Sequence, residues 1–210
     1  MASLHRPLDE ASLQDAVAAL VAADHHLAGI VTRYGPPPLW AREPGFPTLI
    51  HIILEQQVSL ASARAAFDRL LAAVSPLTPA RFLTLDDATL RAIGFSRQKA
   101  GYARHLAQTL LAGQLDLDQL AQQDDAAVRS ALLALKGIGP WSADIYLLMA
   151  LRRPDVWPVG DLALQVAMQR VKQLPSRPTA DEMEELAEPW RPWRAAAARL
   201  LWHHYLSDRL

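Results

Sequence analysis

The order of apolar and polar positions is helical along most of the chain. Residues 10–23 place Leu13, Val17, Leu20 and Val21 on one stripe, the spacing of an amphipathic helix. The segment Tyr34-Gly-Pro-Pro-Pro-Leu39 cannot continue it, because proline lacks the N–H donor and clashes with the preceding turn. From Phe46 to about Val74 a longer amphipathic pattern follows, and the polar group Glu55-Gln56-Gln57 in its middle predicts a break. Thr78-Pro79 has the order of an N-cap followed by a first-turn proline. Asp86 opens a short helix that Gly94 ends, residues 97–112 predict another, and Asp124 or Asp125 caps one running to about Ala134.

Leu135-Lys-Gly-Ile-Gly-Pro-Trp-Ser-Ala143 then sets two glycines two apart between helical patterns, with Pro140 suited to the first turn of the second arm. A tight helical hairpin is predicted. Its second arm, Ser142 to Leu151, is apolar enough to be buried and is ended by Arg152-Arg153-Pro154. A short extended piece, Val156-Trp-Pro-Val-Gly160, leads to a helix starting at Asp161, and helices over 179–187 and 190–206 close the chain.

Composition supports this all-α reading. The 210 residues are 51% apolar, enough for one compact unit or two intimately packed lobes. Alanine and leucine dominate, and the β-branched runs that mark strands are scarce. No apolar run is long enough to span a bilayer and the start is charged, so a cytoplasmic protein is expected, nucleoid-associated if bacterial. With no cysteine, the chain can form no disulfide, thiolate nucleophile, cysteine-ligated zinc site or cysteine-ligated iron–sulfur cluster. A net charge of −1 argues against a surface that grips polyanions everywhere. Nucleic-acid contact would have to be local, and basic pairs occur at Arg97 and Lys99, Arg152 and Arg153, and Arg191 and Arg194.

Two features carry candidate chemistry. A Gly137-Ile138-Gly139 turn opening a helix presents backbone N–H groups at the positive end of the helix dipole, an arrangement that binds phosphate without side-chain charge. A plain interhelical turn would read the same way. Asp161, after Gly160 and before a helix, is a good N-cap, and that alone would account for it.

The flanks add specificity. Leu-Lys-Gly-Ile-Gly-Pro-Trp-Ser-Ala-Asp at 135–144, followed by Arg-Pro-Asp-Val-Trp-Pro-Val-Gly-Asp-Leu at 153–162, resembles the signature of HhH-GPD DNA glycosylases, a helix-hairpin-helix joined to a Gly/Pro-rich loop and an aspartate. Phe46-Pro-Thr-Leu-Ile, Glu-Gln-Gln-Val-Ser59 and Leu90-Arg-Ala-Ile-Gly-Phe-Ser-Arg-Gln-Lys-Ala100 are similar to the start of the same domain. Trp190-Arg-Pro-Trp-Arg194 and Leu-Trp202-His resemble the closing helix of 3-methyladenine DNA glycosylase II. The resemblance covers most of the chain from Phe46 onward.

It implies an all-α fold of two packed helical lobes with the active site in their cleft. The corresponding partition is an N-terminal helix and Pro-rich loop (1–45) packed on a glycosylase domain (46–210). It further implies a monofunctional enzyme that hydrolyses the N-glycosidic bond of flipped-out alkylated purines such as 3-methyladenine and 7-methylguanine in double-stranded DNA. Asp161 takes the place of the catalytic carboxylate, Trp141, Trp202 and His203 that of the base pocket, and Gln57 that of the residue inserted into the duplex. As a polar residue at a helix break, Gln57 has an ordinary reading as well, and Trp40, Trp157, Trp190 and Trp193 are expected in the core. Gly137, Ile138 and Gly139 form the phosphate-binding hairpin. No cofactor is required, although backbone carbonyls of Leu133, Leu135 and Ile138 match those holding a structural Na+ or K+. A monomer suffices for one lesion. Bifunctional members carry a lysine where this chain has Trp141, which argues against lyase chemistry. A bifunctional glycosylase/lyase for oxidised bases and a noncatalytic DNA-binding module are the competing readings.

Overall fold

The computed structural model describes residues 6–208, and among them it contains helices joined by turns and loops and no strand. The order is α1 (Glu10–Ala23), α2 (His25–Tyr34), α3 (Phe46–Glu55), α4 (Leu60–Ala73), α5 (Pro79–Phe82), α6 (Asp87–Ile93), α7 (Arg97–Leu111) and α8 (Leu117–Ala121). There follow α9 (Asp125–Leu133), α10 (Pro140–Ile145), a π-helical turn over Tyr146–Ala150, α11 (Leu162–Val171), α12 (Ala180–Ala187), a 3-10 turn over Glu188–Trp190 and α13 (Arg194–Ser207). The all-α expectation holds.

Capping explains why the helices start where they do. Ser59, Asp86, Ser96, Asp124, Asp161 and Thr179 each accept a first-turn backbone N–H, satisfying a donor that the helix itself leaves unpaired. The break expected at Glu55-Gln56-Gln57 separates α3 from α4. Helix α8 is not marked in the sequence pattern, and three further features depart from it. Helix α2 follows α1 after the single residue Asp24, which ends the first helix with extended backbone and caps the second with its side chain. The second arm of the hairpin leaves α geometry at Tyr146 and continues as the π-helical turn. The last helix starts at Arg194 rather than 190, because Pro192 cannot join a hydrogen-bonded helical turn.

The chain divides into two compact units, one of Arg42–Tyr146 and one formed by residues up to Ala41 together with Leu147 onward. This division differs from a boundary at residue 45, for a physical reason: α1 and α2 pack against α13, so the N-terminal helices belong with the C-terminal ones.

Helix α3 is the axis of the 42–146 unit. Leu49, Ile50, Ile52, Ile53 and Leu54 are buried on all sides, with α4 and α7 packed around it and Phe46, Phe82 and Phe95 in ring contact. In the other unit α13 holds the same position. Its run Ala195–Ala198 is fully buried, and side chains this small let α2 and α11 approach closely. Arg199, in that same helix, has no exposed surface and donates to the carbonyls of Leu39 (2.7 Å), Leu148 (2.8 Å) and Ala195 (3.0 Å). Burial pulls its pKa down to about 10, which still leaves it charged at neutral pH.

Candidate functional site

Asp161 sits at the start of α11, 9% exposed, with Oδ1 accepting the Leu164 N–H at 2.9 Å. The same oxygen accepts the indole N–H of Trp202 at 3.2 Å. The aspartate is therefore both an N-cap and a carboxylate gripped by a second element, since Trp202 projects from α13. Both donors act on one oxygen, fixing the torsion of the side chain. Trp202, expected in a base pocket, turns its indole N–H to the candidate catalytic group.

His203 follows on α13, half-buried. Its Nε2 lies 3.1 Å from the carbonyl of Tyr34, and its ring meets the edges of Tyr34 and Trp40. Those contacts give the imidazole a packing role at the end of α2. Of the tryptophans expected in the core, Trp157 and Trp190 are buried and in ring contact, whereas Trp40 and Trp193 are only half-buried. Trp40 also has a left-handed backbone (φ 48°).

The hairpin lies in the 42–146 unit. Gly139 is the N-cap of α10 and supplies no side-chain cap, and Pro140 opens the helix, as the spacing predicted. Ile138 is buried and anchors the turn, while Lys136 and Pro140 are exposed beside it. Gly137 has φ 89°, and a Cβ there would lie 2.1 Å from Cγ of Tyr102. Its glycine is thus required by the packing of an aromatic ring on the turn. At Gly139 a Cβ would meet nothing within 4 Å, leaving open space over that part of the backbone. Trp141 is half-buried in the first turn of α10.

Gln57 stands exposed in the turn between α3 and α4 with a left-handed backbone (φ 57°). Gln56 before it has φ −60°, ψ 123°, so the pair has the backbone sense of a type II turn, whose third position ordinarily takes glycine or asparagine. Glutamine there is strained by ~1–2 kcal/mol. The residues leading into the turn are held. Lys99 Nζ donates to the Leu54 carbonyl at 2.7 Å, and Arg42 forms a two-pronged ion pair with the buried Glu55 at 2.7 and 2.9 Å. His51, stacked on Phe67 at 4.3 Å, lies 3.7 Å from the same carboxylate. Burial lowers the pKa of His51, the largest influence on it, against the pull of Glu55.

The basic pairs read from the sequence are largely structural. Arg191 and Arg194 converge on Asp155, Arg153 is buried, and Lys99 closes α3. Arg97 remains exposed at the start of α7. Among the described residues no group of three or more acidic, histidine or cysteine side chains is disposed to hold a metal ion, and no helix is long and apolar enough to cross a membrane.

An all-helical fold with a Gly-x-Gly hairpin and a capped aspartate beyond it defines a class, and the comparison with known proteins agrees. The chain belongs to the HhH-GPD superfamily of base excision DNA repair proteins, whose pattern matches residues 50–192. It is 27% identical over 209 residues to DNA-3-methyladenine glycosylase 1 of Schizosaccharomyces pombe, covering 93% of this chain and 92% of that one. It is 28% identical to a putative DNA-3-methyladenine glycosylase of Bacillus subtilis, over 84% of this chain but 64% of the relative's length. The structure superposes on that of the 3-methyladenine DNA glycosylase Mag1 from the same yeast in complex with abasic DNA, with a TM-score of 0.83, 26% identity, and coverage of 93% of this chain and 97% of that one.

Proposed function

We propose that this chain is a monofunctional DNA glycosylase that hydrolyses the N-glycosidic bond of alkylated purines, with Asp161 as the catalytic carboxylate. The observation carrying this reading is Asp161 itself, held at one oxygen by Leu164 N–H and Trp202 Nε1 in a family of base-excision proteins. A methylated purine carries positive charge, so the C1′–N bond breaks with its electron pair going to the base, which leaves neutral. The sugar becomes oxocarbenium-like, and a fixed negative charge beside it lowers the barrier. Water then adds at C1′ and gives up a proton to the carboxylate or to solvent.

Recognition of an electron-poor, extruded ring calls for an aromatic face, and Trp141 is the candidate; cation–π attraction of this kind contributes ~0.5–2 kcal/mol. Gln57 fills the space left in the duplex, and the backbone of Gly137, Ile138 and Gly139 binds phosphate. That mode of binding suits a chain of net charge −1 acting as a monomer on double-stranded DNA. A structural Na+ or K+ at the hairpin fits the donors in kind. Leu133 ends α9, where carbonyls run out of intrahelical partners, and the Leu135 carbonyl, which accepts Ile138 N–H at 3.1 Å, keeps a second lone pair. Leu133, Leu135 and Ile138 would hold the ion, whose role is to stiffen the turn.

Lyase chemistry lacks a nucleophile at 141. Of the three lysines in the chain, Lys99 donates to Leu54 and Lys172 pairs with Asp24, leaving Lys136 on the hairpin. The test is release of methylated purines from duplex DNA by wild type and Asp161→Asn. Release falling at least ~100-fold in the variant is expected, the scale of losing one electrostatic stabiliser. Equal rates would remove Asp161 from the mechanism, and absence of release by wild type would leave the noncatalytic DNA-binding reading.

A further inference from the structure

The side chain of Gln56 is turned away from its exposed neighbour. Its Nε2 donates to the carbonyl of Gly137 at 2.9 Å and to Oγ of Ser142 at 2.9 Å, residues 81 and 86 positions further along the chain. Both acceptors bracket the hairpin, one in the turn and one in the first turn of α10. A single amide thus joins the α3–α4 turn to the phosphate-binding candidate, and all of these residues lie within the 42–146 unit.

The location of this link gives it meaning. The α3–α4 turn is fastened on its near side at Leu54 by Lys99 and at Glu55 by Arg42, and on its far side by Ser59, which caps α4. Between those anchors Gln57 and Val58 project into solvent, Val58 being 47% exposed, and Gln57 holds a left-handed backbone that a non-glycine residue keeps only where its surroundings enforce it. Gln56 supplies part of that enforcement, and its other end is the carbonyl of the one hairpin residue that must be glycine. Movement of the hairpin therefore moves the turn that presents Gln57.

We infer that Gln56 is a positioning residue that couples the phosphate-binding hairpin to the inserted residue Gln57, so that gripping the backbone and filling the duplex act as one unit. The inference rests on the roles proposed for the hairpin and for Gln57. It assigns Gln56 no contact with DNA, which distinguishes it from its neighbour. A glutamine serves because the amide reaches two acceptors of different kinds at once; leucine of similar size would leave both unpaired.

Two measurements test it without relying on catalysis. In the DNA-free protein, Gln56→Leu should speed amide exchange across residues 137–142 several-fold, whereas Gln57→Ala should leave those amides unchanged. On a duplex with a tetrahydrofuran abasic site and 2-aminopurine beside it, fluorescence reports insertion. Each single substitution should lower the inserted-to-uninserted ratio about tenfold, and the double variant should be no more than about twofold worse than the weaker single. Independent effects, multiplying to about a hundredfold, would overturn the coupling, as would hairpin exchange unaltered by Gln56→Leu. If the leucine variant does not fold, Gln56→Asn, one methylene shorter, is read by the same two criteria. Release of methylated bases is scored separately. Its absence in wild type would remove the glycosylase reading, while the abasic-site cycle would still decide whether 56 and 57 act together.

Discussion

Trp202 donates its indole N–H to Oδ1 of Asp161 at 3.2 Å, from one helix to the N-cap of another. Trp202→Phe would keep an aromatic ring and the backbone cap while deleting this donor. A hydrogen bond to a charged group contributes about 1.5–3 kcal/mol, so single-turnover release of methylpurine should slow about tenfold or more. The melting temperature should fall by roughly 3–12 °C, the same loss read as stability in a chain of this size. Release at the wild-type rate would show that Asp161 is oriented without the indole.

Asp161 as a cap, the hairpin turn and the break before Gln57 follow from short-range chemistry: an acceptor before a helix, two glycines two apart, polar residues in an apolar stripe. The bond from Trp202 to Asp161 spans 41 positions, and nothing local distinguishes a tryptophan whose N–H has a destination from one that only packs. Gln56 illustrates the same limit, for it and Gln57 read alike in sequence although one is turned to the hairpin and the other to solvent. Arg199 within a run of alanines and leucines would pass for a solvated position; three carbonyls from separate segments make its burial tolerable. Helix α2 does not stand out in the sequence, because a one-residue break at Asp24 leaves almost no gap in the pattern.

Gln57 should be worth more to function than to folding. Gln57→Gly removes the left-handed strain of ~1–2 kcal/mol and adds about 0.5–1 kcal/mol of chain entropy to the unfolded state. Thermal stability is therefore expected to be unchanged or slightly raised. Excision from duplex DNA should drop about tenfold while release from single-stranded substrate, with no widowed base to replace, changes little. A clear fall in melting temperature would mean that the side chain is kept for the fold.

Gly137 makes the opposite case. Alanine there combines the strain of φ 89° with a Cβ driven into the Tyr102 ring, together costing about 3 kcal/mol. On a Tyr102→Ala background the collision disappears and only the backbone strain of ~1–2 kcal/mol remains. Urea unfolding of the four proteins in this cycle measures the difference. An equal cost of Gly137→Ala on both backgrounds would place the requirement in the backbone alone.

Asp24 makes stability depend on acidity. Its Oδ1 caps α2 by accepting the N–H groups of His26 and Leu27, and its Oδ2 accepts Lys172 Nζ at 2.6 Å and Trp190 Nε1 at 2.9 Å. Burial pushes the carboxyl pKa up and is the largest single influence, but the bonds from Lys172 and Trp190, the lysine charge and the helix N–H together carry it below 3.8. A carboxyl lowered on folding stabilises the protein fully above its unfolded pKa and loses that contribution as pH falls through the folded value. Asp24→Asn, which retains a capping oxygen but no charge for Lys172, should cost about 2 kcal/mol near pH 7. The gap from wild type should stay level down to about pH 5, then close as the wild-type carboxyl takes up its proton below 3.8. Denaturant unfolding across that range reads the gap directly. A difference as large at about pH 2.5 as at neutrality would assign the loss to side-chain geometry rather than to the charge.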